Sequence, residues 1–198
     1  MTNEDLYSYV PDPLWERFKK GDQEAFAQLY NEHIDNLLLY GMKTIRKEQV
    51  VKDAIQDLFV ELWRSRENLQ SVRSVPLYLF KSLRYKLFRE NKMRMEVPSA
   101  SIPAYPSLLD SSIEMLILQR EEECSHREKI SHAIRQLPCR QQEAINLRFY
   151  QGFSNEQIAL IMDINYQSVI NLIHKAILQL RKHLGYILTL LIWVISIV

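Results

Sequence analysis

Ser154–Leu184, SNEQIALIMDINYQSVINLIHKAILQLRKHL, decides the architecture. Ser154 with Gln157 three residues later has the spacing of a capping box, in which each side chain satisfies the other residue's free backbone N–H. A short helix over Asn155–Met162 is predicted after it. Asp163-Ile164-Asn165 then makes a tight turn. That turn needs a residue tolerant of left-handed backbone, a conformation Asp adopts less easily than Gly. A long helix follows from about Tyr166 to Leu184. Ala159 is small enough for the two helices to approach closely. Ile158, Ile161, Ile164, Val169 and Leu172 are placed to fill the wedge between them. Short helix, three-residue turn and long helix is the helix-turn-helix pattern, whose second helix reads the major groove of DNA.

Upstream, Leu137-Pro138 precedes a helix predicted over Gln141–Tyr150, and Gly152 ends it, as glycine often does. Further back, Leu14–Arg94 is helical in pattern throughout. After Gly21, Asp22 begins a helix whose apolar face is Ala25, Phe26, Leu29, Tyr30 and His33. A second helix, about Lys47 to Arg64, places Val50, Val51, Ala54, Ile55, Leu58, Phe59, Leu62 and Trp63 at helical spacing. Its other face shows Asp53, Gln56, Asp57 and Glu61. A third starts near Pro76, a residue suited to a first helical turn. It turns Leu79, Phe80, Leu83, Leu87 and Phe88 inward, and Lys81, Arg84, Lys86, Arg89, Lys92 and Arg94 outward.

Between the helical blocks, Glu96–Ser112 is rich in Pro and Ser and reads as a flexible linker. The organisation expected is all-α. A first helical domain covers 14–95, a linker 96–112, a second domain with the helix-turn-helix 113–184, and an apolar tail 185–198. Composition agrees. Apolar residues are 47 % of the chain, enough for a core, and the 4 glycines and scarce strand-like alternation favour helices. The formal net charge of +1 excludes a uniformly basic protein but leaves room for basic faces. Cys124 and Cys139 lack metal-ligand spacing and read as free thiols of a reducing cytoplasm. The acidic Met1–Pro13 has no apolar run and is no signal peptide.

At this point the residues resemble a known family. Gly21-Asp22-x-x-Ala25-Phe26-x-x-Leu29-Tyr30 is similar to the opening of region 2 in extracytoplasmic-function sigma factors of bacterial RNA polymerase. Asp53-x-x-Gln56-Asp57-x-Phe59-x-x-Leu62-Trp63 resembles that family's D-x-x-Q-[ED]-x-F-x-x-[LV]-W helix. Leu137-Pro138-x-Arg140-Gln141, Phe149-x-x-Gly152-x-Ser154-x-x-Gln157-Ile158-Ala159 and Ser168-Val169 resemble region 4. The resemblance runs from about Trp15 to Leu184, and ordered motifs of this kind are far more specific than a helix-turn-helix alone.

The resemblance implies a function: directing promoter-specific initiation by binding core RNA polymerase and the −10 and −35 promoter elements. Asp53, Gln56, Asp57, Phe59, Leu62 and Trp63 would dock on the polymerase clamp, where an acidic and amide face offers charge-assisted bonds to basic groups; Phe59, Leu62 and Trp63 fit either core or interface and read mostly as core. Lys81, Arg84, Tyr85, Lys86, Phe88 and Arg89 would meet the −10 element, the cations neutralising phosphates and the rings stacking on unpaired bases. Tyr85 stands where the family often has Asn. Gln167, Ser168, Asn171, His174 and Lys175 would meet the −35 element, because Asn and Gln pair with adenine edges and Lys with guanine or phosphate. Ile170 and Leu172 make this helix less basic than in many relatives. Arg135, Arg140, Arg148, Arg181 and Lys182 are candidates for backbone contacts.

Gly185–Val198, GYILTLLIWVISIV, lies outside the family pattern. As a helix it spans roughly 20 Å, short of the roughly 30 Å hydrocarbon core. Three roles compete: a helix for an anti-sigma partner, a segment that folds back on the chain, and a membrane contact aided by Arg181 and Lys182. Three other functions compete with the main reading, one of them a membrane-anchored signalling protein, which rests only on this short tail. A DNA-binding regulator that never meets polymerase leaves the Asp53–Trp63 motif unexplained. An enzyme lacks support: His33, His126, His132, His174 and His183 form no metal constellation, and there is no Gly-rich phosphate loop or nucleophile elbow. No catalysis, metal or cofactor is expected.

Overall fold

The computed structural model describes residues 12–45, 47–94 and 129–184, and every regular element among them is helical. The linker 96–112, the start of the second block, the tail 185–198, Cys124, His126 and the side chains of Lys92, Arg94 and His183 lie outside the described residues.

Among the described residues the first unit holds four α-helices and a short 3-10 turn, Arg66–Asn68. α1, Pro13–Lys19, begins on a proline, and Asp12 accepts hydrogen bonds from the Leu14 and Trp15 N–H groups at 2.9 and 3.2 Å. α2 runs Gln23–Ile45. Asp22 accepts from the Glu24 and Ala25 N–H groups and is clamped by Arg17 at 2.6 Å. The Ala25 N–H, and then Arg17, hold the Asp22 carboxyl below its usual range. α3 spans Glu48–Ser65 and α4 Val75–Arg94. α4 begins one residue before Pro76, with the Ser74 hydroxyl accepting from the Leu77 N–H at 3.3 Å.

Trp15, Phe18, Leu29, Leu37, Leu79, Leu83 and Leu87 are almost fully buried, each worth roughly 1.5–3 kcal/mol of removal from water. α2 and α3 approach so closely that any side chain at Gly41 would run into Val51. Phe88 departs from expectation: it is exposed rather than inward, and its ring lies under the Arg84 guanidinium at 4.6 Å.

The second unit comprises α5 (129–135), α6 (Cys139–Ile145), α7 (Asn155–Met162) and α8 (Tyr166–Leu184). The helix expected over Gln141–Tyr150 starts earlier and changes character. Asn146–Tyr150 widens into a π turn, in which the Gln151 N–H bonds the Asn146 carbonyl at 3.1 Å. Gly152, at φ +72°, turns the chain away. The capping box at Ser154 is formed in both directions. Asp163 sits at φ 53°, ψ 55°, the left-handed conformation the turn demanded. Ile158, Ile161 and Val169 are buried in the wedge, with Ile164 and Leu172 packed beside them.

The two units share one core. Ala144, Leu147, Phe153, Ile158, Ile161, Met162 and Val169 continue the apolar cluster that begins at Trp15. α6 and the π turn lie on α2, and α7 lies on α4. A smaller cluster of Ala133, Leu137, Ile145, Ala176 and Leu180 ties α5 and α6 to α8.

Candidate nucleic-acid interface

α8 carries the clearest surface. Asn165 caps it, its side-chain oxygen accepting from the Ser168 N–H at 2.7 Å. Val169, Ala176 and Leu180 face inward. Gln167, Asn171, His174 and Lys175 are therefore driven to the solvent side by helical spacing, with Ser168 half-buried among them. Gln167 donates to the Asn171 carbonyl oxygen at 3.3 Å, which aligns two amides along one face. All five residues named from the sequence fall on the outer side of this helix or its edge.

α4 behaves differently. Lys81, Tyr85 and Arg89 are exposed, and Tyr85 is 68 % accessible. Lys86 is held by Glu61 of α3 at 2.6 Å. Arg84 is largely covered. Its Nε donates to Glu143 of α6 at 2.7 Å, and its guanidinium lies on Phe88. The structure thus brings the six named residues onto one helix but splits them between open and engaged groups.

On α3, Gln56 and Asp57 are exposed and Asp53 is half-buried, accepting from Gln49 at 2.7 Å. Phe59 and Leu62 are 4 % and 2 % accessible. They belong to the core and support this face from behind, because the α2–α3 contact consumes their side. Trp63 is half-buried, packed on Phe26 and Phe18, with the Arg66 guanidinium 4.6 Å from its ring. Between α2 and α3 lies an open apolar groove of about 620 Å³, lined by Phe26, Tyr30, Ile34, Phe59, Val60 and Trp63, with Gln56 beside them. Of the cations proposed for backbone contacts, Arg135, Arg140, Arg181 and Lys182 are exposed, while Arg148 donates to the Phe153 carbonyl at 3.2 Å.

Sequence reasoning missed the groups between the units. Glu143 is 5 % accessible and accepts from the Tyr40 hydroxyl at 2.8 Å as well as from Arg84. Burial, and then the Glu143 carboxylate, push the Tyr40 phenol well above its ordinary value, so it stays a donor. Lys43 Nζ lies 2.9 Å from the centre of the Tyr150 ring, and burial lowers its amine to about 8. The signal available was Glu143 itself, an acid directly before the apolar Ala144-Ile145.

Among the described residues no group of acids, histidines and cysteines is placed to hold a metal, and no helix is long and apolar enough to cross a membrane.

Residues 127–180 match the family model described as "Sigma-70, region 4". The chain is 26 % identical over 178 residues to the ECF RNA polymerase sigma factor BldN of Streptomyces coelicolor, covering 85 % of this chain and 64 % of that protein. It is 24 % identical over 171 residues to the RNA polymerase sigma factor CarQ of Myxococcus xanthus, covering 86 % and 95 %. Its fold is similar to that of the sigma factor RpoE from Bartonella quintana, solved with the anti-sigma factor NepR. The TM-score is 0.61 and the identity 21 %, over 81 % of this chain and 97 % of that one. CnrH, solved with the cytosolic domain of CnrY, gives a TM-score of 0.59 at 21 % identity, over 86 % and 94 %.

Proposed function

We propose that this chain, a member of the extracytoplasmic-function sigma factors of the sigma-70 family, directs promoter-specific transcription initiation by binding core RNA polymerase and two promoter elements. Its work is binding, not catalysis. The observation that carries the reading is the pairing of two surfaces in one chain: a basic, aromatic helix, α4, and a helix-turn-helix whose outer face bears Gln167, Asn171, His174 and Lys175.

The division of labour follows the chemistry. The first unit, residues 14–95, takes polymerase on the Asp53, Gln56 and Asp57 face, beside the apolar groove. Its α4 takes the −10 element. Lys81 and Arg89 neutralise phosphates, and the exposed Tyr85 ring offers a stacking platform to a base freed by melting, worth roughly 1–3 kcal/mol. The second unit, 113–184, takes the −35 element on α8, where amides suit adenine edges. A linker over 96–112 lets the two units serve separated elements. The chain acts where polymerase and DNA are, in the cytoplasm. An anti-sigma protein is the expected third partner, by analogy with the RpoE–NepR complex. The tail 185–198 is a candidate contact for it, ahead of a membrane.

Run-off transcription with core polymerase and a library of promoter fragments tests the reading. Initiation should depend on the added chain. Gln167→Ala with Asn171→Ala should cost roughly tenfold or more at the preferred promoter, the scale of losing good base contacts. DNA binding without any initiation would replace this reading with a regulator that never meets polymerase.

A further inference from the structure

Two apolar features of the chain complement each other. One is the segment Gly185–Val198, GYILTLLIWVISIV, which holds no charged residue. As a helix it is too short to cross a hydrocarbon core of roughly 30 Å, and a run of such side chains does not stay exposed to water. The other is the groove of about 620 Å³ between α2 and α3. α2 lines it with Phe26, Tyr30, Ile34 and Leu38, a stripe at every fourth residue, and α3 with Phe59, Val60 and Trp63. Rings floor it. Tyr30 meets Phe59 edge-on at 4.9 Å, and Phe26 meets Trp63 at 5.0 Å. Tyr30 and Val60 remain 39 % and 38 % accessible, so both walls are open to an apolar occupant. No acid lines the groove among the described residues.

We propose that Leu191–Val198 seats in the α2–α3 groove of its own chain and competes there with core polymerase. The reach is sufficient. The groove ends at Leu38, two residues before Tyr40, whose hydroxyl touches Glu143 of α6. Two residues further along α6, Ile145 shares a cluster with Leu180 of α8. Two helix-packing steps of about 8–10 Å therefore separate the last turns of α8 from the end of the groove. Gly185 directly follows α8, and glycine is the residue type that lets a chain leave a helix and turn back. Gly185–Leu190, extended at about 3.3–3.6 Å per residue, bridges that distance of about 20 Å. Leu191–Val198 remains, about 12 Å long as two turns of helix. The groove runs from Phe26 to Leu38, about 18 Å at about 1.5 Å per residue, so it accepts the whole piece. An apolar helix laid in a groove of this kind is a recurring way to bury both.

The consequence rests on the polymerase-binding reading above; the contact itself does not. Gln56 lines the groove, and Asp57 is exposed next to it on α3. A seated tail therefore covers part of the face that takes polymerase. Apparent affinity for polymerase then falls in proportion to the fraction of chains whose groove is open. Polymerase shifts the balance by binding the open form alone. The same tail reaches an anti-sigma partner only after it leaves the groove.

Photo-crosslinking of the full chain, with benzoylphenylalanine placed at position 193, tests the seat. Crosslinks within the single-chain band should map to residues 26–38 and 52–64, and should persist when phosphatidylglycerol vesicles are added. Val60→Glu sets a carboxylate in an exposed part of the wall, and should lower that crosslink about tenfold by burying a charge whenever the tail is seated. Leu191→Glu should do the same from the tail side. It should also raise initiation about fivefold or more at limiting core polymerase. Circular dichroism checks helicity, and Leu191→Glu carries the test if Val60→Glu fails to fold. Crosslinks to another part of the chain, to a second copy, or to lipid once vesicles are present overturn the proposal. So does the absence of any crosslink, or a groove crosslink that both folded variants leave unchanged. A groove crosslink lost in Leu191→Glu without a gain in initiation overturns the competition. Absence of initiation by every version is a different failure, that of the polymerase-binding reading, and the crosslink then decides the contact by itself.

Discussion

The two helical units are built from different materials. The first is sealed by rings. Trp15 contacts Phe18 and Tyr78, Phe18 stacks on Phe26, and Phe26 meets Trp63 and Phe59 at centroid distances of 5.0–6.1 Å. The second is filled by branched and small chains, Ile158, Ile161, Val169, Ala176 and Leu180, around buried amides. Gln141 Oε1, both side-chain polar atoms of Asn146, Gln151 Nε2 and Asn155 Oδ1 meet no hydrogen-bond partner among the described residues. Interlocked rings specify one arrangement and add roughly 0.5–1.5 kcal/mol per pair beyond burial. Unpaired buried amides cost about 1–3 kcal/mol each. The contrast describes a rigid platform carrying a unit that is cheaper to move.

The largest expected effect breaks the platform. Trp15 is fully buried, and its indole N–H donates to the Gln70 carbonyl at 3.1 Å, pinning the segment before α4 to α1. Trp15→Ala removes the ring from its two aromatic neighbours, Phe18 and Tyr78, leaves a cavity and orphans that carbonyl. It should cost about 3–5 kcal/mol in denaturant unfolding. A loss under about 1 kcal/mol would mean that the rings are not what makes the first unit rigid.

A smaller effect, of opposite sign, sharpens the other side. Asn146 is 3 % accessible in the π turn, and its side chain is unsatisfied among the described residues. Replacing a buried unpaired amide by an apolar chain of similar size removes the desolvation penalty. Asn146→Leu should therefore raise stability by about 1 kcal/mol. A clear fall in the unfolding midpoint would show that the amide is satisfied in solution, and that the second unit is as well sealed as the first.

The same contrast explains what could be read from the residues alone. α7 and α8 fall where the periodicity put them, because their signals are local: a capping box, a left-handed turn, and branched residues at helical spacing. The outer face of α8 follows from the same count. The π turn did not announce itself, since a bond from residue 151 back to 146 changes the register without changing the apolar pattern. Phe88 fits the inward stripe of α4 by spacing, yet it is exposed and stacks under Arg84 instead. Phe59 and Leu62 share a motif with Asp53, Gln56 and Asp57, yet their place on the apolar stripe of α3 marked them as mostly core, and they are buried. The Tyr40–Glu143–Arg84 contact was illegible for a different reason. Periodicity finds a buried face and not the distant element that buries it.

The smallest effect concerns the turn of the helix-turn-helix. Asp163 holds φ 53° and ψ 55°, and the backbone around it is tied to α7, with both its own N–H and the Ile164 N–H bonding the Ala159 carbonyl. Left-handed backbone costs an ordinary L-residue roughly 1–2 kcal/mol, somewhat less for Asp, and costs Gly nothing. Against that, Gly gains freedom in the unfolded chain worth about 0.4–1 kcal/mol. The two terms nearly cancel, leaving a net gain below about 1 kcal/mol for Asp163→Gly. Because Asp163 is exposed, no packing is lost with its side chain. Thermal unfolding should show a small rise in midpoint with promoter binding unchanged. A fall would mean that the Asp163 carboxylate supports the turn by more than its backbone conformation, and that this tight turn, unlike the amide-lined interior beside it, is already at its optimum.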